Sequence, residues 1–165
     1  MPHCQLIIVN YLLSLLLATS SARVVDIMRE KVGNMKNIIH VLFIDDEEND
    51  AELVHLNLEN ASLKVTTTST PLEALKLLAN QSFDCVVSDY KMPGRSGIEL
   101  CREIRKTSNI PFIIYTGWES ELVAKAALDA GVDYYIKMQE NLSHYHNLAK
   151  SIEHAVENRR EPSIS

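Results

Sequence analysis

Between residues 40 and 156 the chain alternates short, unbroken apolar runs with longer stretches whose apolar residues recur every three or four positions. The runs at 41–44 (VLFI), 85–87 (CVV), 112–115 (FIIY) and 134–136 (YYI) carry no polar alternation. Strands covered on both faces of a parallel sheet read this way. A further strand is predicted over 64–68. An acidic cluster at 45–48 opens a helix reaching about residue 60. Leu72, Leu75, Leu78 and Ala79 mark the buried face of a second helix. Ile98, Cys101 and Ile104 mark that of a third ending near Thr107, and Leu148, Ile152, Ala155 and Val156 that of the last. Residues 121–130 form the remaining helix, with Gly131 suited to the position just past its end. Thr70-Pro71-Leu72-Glu73 reads as a capping box with proline at the first helical position, and Ser96-Gly97-Ile98-Glu99 repeats the spacing. Five strands joined through helices by right-handed crossovers predict a doubly wound α/β sheet, all parallel, of order 2-1-3-4-5.

In such a sheet the carboxyl ends of the strands form one edge, where ligands bind. Polar residues stand at four of these ends. Asp45 and Asp46 follow the first run, Asp89 the third, Thr116 the fourth and Lys137 the fifth. Asp89 leads into a turn carrying Pro93, Gly94 and Gly97. A lone aspartate after a strand is more often a cap or turn residue. Three acids, a hydroxyl and an ammonium converging on one edge are a magnesium and phosphoryl site in outline. Glu47 and Glu48 read more simply, as acids complementing a helix N-terminus.

These residues resemble the receiver domains of two-component response regulators. An Asp-Asp pair, a phospho-accepting Asp followed by x-x-M-P and a nearby Gly, a Thr or Ser, and a Lys recur there in this order. Here they are Asp45-Asp46, Asp89 with Met92-Pro93 and Gly97, Thr116-Gly117, and Lys137, and the likeness spans about residues 37–160. It implies a flavodoxin-like fold and a stand-alone switch that takes a phosphoryl group on Asp89 from a sensor histidine kinase. The signal would then pass by conformational change to a separate output protein or a histidine phosphotransfer protein. It also implies Mg2+, held directly by Asp46, Asp89 and the backbone carbonyl of Lys91 and through water by Asp45. Thr116 and Lys137 would meet phosphoryl oxygens. Thr116 would shift toward the phosphate as an aromatic on the fifth strand, Tyr134 or Tyr135, turns inward.

The fifth strand departs from the family. The spacing from Gly131 to Lys137 is one residue short, and Met138 stands where proline commonly follows the lysine. Two alignments compete: Tyr134 as switch with Lys137 in the site, or Tyr135 as switch with Met138 in the lysine's place. Charge favours the first, with a shortened loop at Val132-Asp133, because a site of three acids and a phosphoryl group needs the ammonium.

Composition narrows the rest. Of 165 residues, 46% are hydrophobic and 23% charged, which are globular values. A net charge of −6 with no basic run beyond Arg159-Arg160 argues against nucleic acid as a partner. Cys4, Cys85 and Cys101 share no metal-site spacing and read as reduced thiols of a cytoplasmic protein. His144 and His146, two apart on a helix, point to different sides and make a poor metal pair. Residues 1–22 lack Lys, Arg, Asp and Glu. They lack the basic start of a signal peptide and make a marginal membrane span. We favour an upstream extension over 1–35 outside the fold, a domain over 36–160 and a tail over 161–165, without membrane contact. Two rival functions remain: a receiver-like binding module that is never phosphorylated, and a magnesium-dependent phosphohydrolase. The latter lacks its second Asp, because Lys91 stands two residues after Asp89 and Glu47 two after Asp45.

Overall fold

The computed structural model describes residues 38–160 apart from 60, 61, 119 and 140, so the expected extension over 1–35, Cys4 and the expected tail lie outside the described residues. Five strands alternate with five helices: β1 Ile39–Ile44, α1 Glu48–Leu58, β2 Leu63–Thr68, α2 Pro71–Asn80, β3 Cys85–Ser88, α3 Gly97–Arg105, β4 Phe112–Thr116, α4 Glu121–Asp129, β5 Tyr134–Lys137 and α5 Ser143–Arg160. The strands form one sheet of order β2-β1-β3-β4-β5, every pair parallel. This is the flavodoxin-like order expected from the sequence.

Alternation along the central strands sends side chains into two cores. Val41, Phe43, Val87, Ile113 and Tyr115 meet Val54 and Leu58 of α1 and Leu148 and Ile152 of α5. Leu42, Ile44, Val86 and Ile114 meet Ala74 of α2, Ile98 and Ile104 of α3 and Ala127 of α4. Covering both faces explains why these strands are unbroken apolar runs. One polar pair lies in the first core: the buried Tyr115 hydroxyl is hydrogen-bonded to Nδ1 of His144 at the start of α5. Burial pushes the Cys85 and Cys101 thiols up, as suits inert structural cysteines.

Two local details differ from the sequence reading. Thr70 caps α2 by accepting from Glu73 N at 3.2 Å, but the Glu73 carboxylate takes the Thr68 hydroxyl at 2.5 Å. The capping box at Ser96 is complete, with Ser96 N donating to Glu99 at 2.8 Å and Glu99 N to Ser96 Oγ at 3.3 Å. The β1 strand also begins two residues before the apolar run, because Ile39 and His40 pair with Leu63 and Lys64 of β2, and the His40 ring meets Thr66 and the Ser82 carbonyl.

The short connection before β5 is pinned by Asp133. Its amide donates to Phe112 O at 2.8 Å and its carboxylate accepts from Phe112 N at 2.8 Å, from Arg105 at 3.1 Å and from Arg159 at 2.8 Å. These contacts set the register Ile113↔Tyr134 through Thr116↔Lys137. Gly131, with φ +86°, makes the turn that brings Asp133 there. Asp133→Ala removes the acceptor of the Phe112 amide and one acceptor from each of two guanidinium groups. It should cost about 2–3 kcal/mol in urea unfolding, and a loss under 0.5 kcal/mol would show that the register is held otherwise.

Candidate functional site

The pairing of β1 with β3 places Ile44 beside Ser88, so the residues that follow, Asp45 and Asp89, emerge side by side. The ladder runs on past both strands, since Asp89 N donates to Ile44 O at 2.9 Å and Asp45 N to Thr68 O at 3.1 Å. Asp45, Asp46 and Asp89 each present a carboxylate oxygen within 4.8 Å of the others. Asp45 is 3% exposed. Burial, with the nearby Asp89, Asp50 and Asp46, pushes its carboxyl up to about 7, against the pull of the Glu47 amide that donates to Oδ1 at 2.9 Å. Three hard oxygen donors, one of them buried and held at odds with its own charge, fit a divalent ion such as Mg2+.

The titration of Asp45 has a stability consequence. Its pKa in the folded chain lies above the ordinary 3.8, so the protonated form favours the fold. That contribution is complete below pH 4 and is lost as pH rises through about 7. In chelator, the domain should be more stable at pH 5 than at pH 8 by about 2 kcal/mol from this group. Asp45→Asn, which keeps the acceptor for Glu47 N, should remove most of that difference in urea unfolding. An unchanged pH dependence would sink the assignment.

The backbone at Asp89 is packed as tightly as its carboxylate is open. Gly97 begins α3 directly against it: a Cβ at Gly97 would stand 2.3 Å from Asp89 O, 2.8 Å from Ile114 Cδ1 and 3.0 Å from Ser88 Oγ. Ser88 Oγ donates to the same carbonyl at 2.8 Å. Lys91 N donates to Asp89 Oδ2 at 3.0 Å, closing a turn in which Gly94 takes φ +81°.

Thr116, 2% exposed, ends β4, and its Oγ1 accepts from Trp118 N at 3.2 Å. A Cβ built at Gly117 meets no heavy atom within 4 Å, so the space beside Thr116 is open. Lys137 ends β5 directly across from Thr116. The tyrosines of β5 part company. Tyr135 packs toward the α3–α4 layer, and its hydroxyl donates to Trp118 O at 2.6 Å. Tyr134 packs on the other face, its hydroxyl 2.5 Å from His154 Nδ1 of α5. Met138 N donates to Thr116 O at 2.9 Å while its side chain joins the α1–α5 layer. Neither sequence alignment is reproduced whole: Lys137 stands across from Thr116 on a strand in which Tyr135, not Tyr134, reaches the loop after Thr116.

Trp118 was missed by the sequence reading. Besides holding Thr116 and Tyr135 by its backbone, its half-exposed ring lies 5.0 Å from Lys91 Nζ. The available signal was its position, two residues after Thr116 in a chain with one tryptophan.

Comparison with known proteins decides the family. Residues 41–150 match the model of the response regulator receiver domain. The chain belongs to that family. Its curated relatives include a probable transcriptional regulator, ycf27, of Cyanidium caldarium, 36% identical over 66% of this chain and 44% of that protein. The regulatory protein VanR of Enterococcus faecium is 35% identical over 58% of this chain and 42% of its own length. The receiver chain thus spans about two-fifths of the length of these relatives. Among solved structures, a response regulator receiver domain protein of Clostridium thermocellum superposes with a TM-score of 0.68 at 29% identity, over 74% of this chain and 98% of that one. The response regulator TrrA of Thermotoga maritima, in complex with Mg2+ and BeF, gives 0.62 at 29% identity over 70% and 99%. The receiver is therefore a signalling module of a two-component system. Among its described residues no helix is long and apolar enough to cross a membrane.

Proposed function

We propose that Asp89 of this receiver is the phosphoryl acceptor, supplied by a sensor histidine kinase in a Mg2+-dependent reaction. The observation that carries this is the approach of Asp45, Asp46 and Asp89 to within 4.8 Å at the carboxyl edge of the sheet, where Thr116 ends the neighbouring strand β4. An Asp89 carboxylate oxygen attacks phosphorus and forms the new P–O bond. The bond from phosphorus to the donor nitrogen or acyl oxygen breaks, and the donor leaves with its electron pair. Mg2+, held by Asp46, Asp89 and the Lys91 carbonyl directly and by Asp45 through water, would lower the repulsion between carboxylate and phosphoryl group. Thr116 and Lys137 would meet phosphoryl oxygens.

Of the two candidate switch residues we assign the role to Tyr135, because its hydroxyl bonds the Trp118 carbonyl two residues beyond Thr116. Thr116 turning toward a phosphoryl oxygen would withdraw the acceptor of Trp118 N and disturb the bond Tyr135 makes. Output would pass by contact from the domain, over residues 36–160, to another protein or phosphorelay member in the cytoplasm. Two of the relatives bear the names of transcriptional regulators, so a nucleic-acid partner for the whole protein belongs among the outcomes to test.

A phosphohydrolase fits less well, since the residue two after Asp89 is a lysine whose ammonium lies on Trp118 rather than an acid. Incubation with acetyl phosphate and Mg2+, followed by intact mass, should show one added phosphoryl group and no sustained turnover of a small phosphomonoester. Steady turnover would favour the hydrolase, and neither labelling nor turnover would favour a binding module.

A further inference from the structure

Lys91 is an exposed lysine on a flexible stem, two residues from a carboxylate that belongs to a group of three. Its amide is already bonded to Asp89 Oδ2 at 3.0 Å. Left alone, such an ammonium falls onto the acids, where the field is strongest. Instead Nζ lies 5.0 Å from the centre of the Trp118 ring, a cation–π distance. The Trp118 backbone is itself held by two polar tethers, Thr116 Oγ1 accepting from its amide at 3.2 Å and Tyr135 donating to its carbonyl at 2.6 Å. Asp89, Lys91, Trp118 and Thr116 thus form a chain of contacts from the β3–α3 loop to the β4–α4 loop.

From this we infer that Lys91 is a second phosphoryl-binding cation of the site, and that Trp118 is the positioning residue that keeps it off the acid cluster until the phosphoryl group arrives. The inference rests on the reading of Asp89 as acceptor. With the ammonium on the indole, the three carboxylates stay available to a divalent ion. Once Asp89 carries a phosphoryl group, with its extra negative charge and three acceptor oxygens, a charge-assisted hydrogen bond to it outcompetes an exposed ring face. The same event draws the Thr116 hydroxyl away from Trp118 N, so ring and ammonium part as the Trp118 backbone loses a tether. This adds a cation from the Asp89 side of the site, whatever Lys137 contributes from β5.

Both residues are exposed, so their variants should fold, and a double-variant cycle separates the roles. Titrated calorimetrically with Mg2+ alone, Trp118→Ala should bind the ion about fivefold more weakly, because the released ammonium pairs with Asp89. Adding Lys91→Ala to Trp118→Ala should restore the affinity. With acetyl phosphate and saturating Mg2+, Lys91→Ala should be labelled about tenfold more slowly and Lys91→Arg within about twofold of the parent. Emission from Trp118, the chain's one tryptophan, should change on labelling and lose most of that change in Lys91→Ala. Weak Mg2+ binding that persists in the double variant overturns the positioning role, and Lys91→Ala labelled at the parent rate overturns the cation role. A parent protein that is never labelled overturns the acceptor reading instead, while the Mg2+ cycle still decides what Trp118 does.

Discussion

Asp89→Asn should reduce phosphoryl incorporation by on the order of 10^4-fold or more, the loss expected when a nucleophile is removed rather than a contact weakened. Asn keeps the shape of Asp89 and can still accept the Lys91 amide, which bonds Oδ2 at 3.0 Å, so the turn that follows should survive. It removes one of three charges crowded within 4.8 Å, so the variant should be at least as stable as the parent in chelator. Loss of labelling with retained or raised stability therefore points to chemistry. Loss of both would point to damage. Chelation of Mg2+ should lower labelling of the parent by at least about a hundredfold, since without the ion the acids repel the incoming phosphoryl group. Intact mass over time reads both effects.

Gly97→Ala should be among the most destabilising single substitutions in the domain, costing about 3 kcal/mol. The added methyl would lie 2.3 Å from the Asp89 carbonyl oxygen. That oxygen is backbone, so no rotamer change relieves the clash. Either α3 lifts from β3 or the peptide after Asp89 rotates. In the first case the Ser96–Glu99 capping box and the packing of Ile98 go with it, and in the second the nucleophile is re-aimed. Labelling of the folded fraction should fall as well. Gly117→Ala is the control, because its methyl meets nothing within 4 Å and the fold should keep its urea midpoint. Equal stability of the two alanine variants would mean that α3 approaches Asp89 less closely than described.

How much of this was legible in the sequence depends on whether a feature is set within one segment or between two. The central strands were readable because covering both faces demands unbroken apolar runs, and the strand ends then placed Asp45, Asp46, Asp89 and Thr116 on one edge. The cap at Ser96 was readable because both partners lie within one turn. The diverted Glu73 was not, because Thr68, two residues before the cap and on another element, competed for its carboxylate. Gly97 read as a turn glycine, since nothing in its neighbourhood says that the Asp89 carbonyl crosses over it. The fifth strand posed the hardest question because a slip of one residue exchanges its faces. Its register is set by Asp133 on Phe112, a contact between residues 21 apart. Trp118 stayed invisible for the same reason, as its partners Lys91 and Tyr135 lie on two other loops and strands.

The central claim, phosphorylation of Asp89 by a magnesium-assisted transfer, is tested most directly by locating the group. The full chain would be labelled with acetyl phosphate and Mg2+, the acyl phosphate converted by hydroxylamine to a stable hydroxamate, and the peptides mapped by mass. The account predicts one modified residue, Asp89, absent when Mg2+ is chelated. Modification at Asp45, at Asp46 or at a histidine, or labelling that survives chelation, would contradict it.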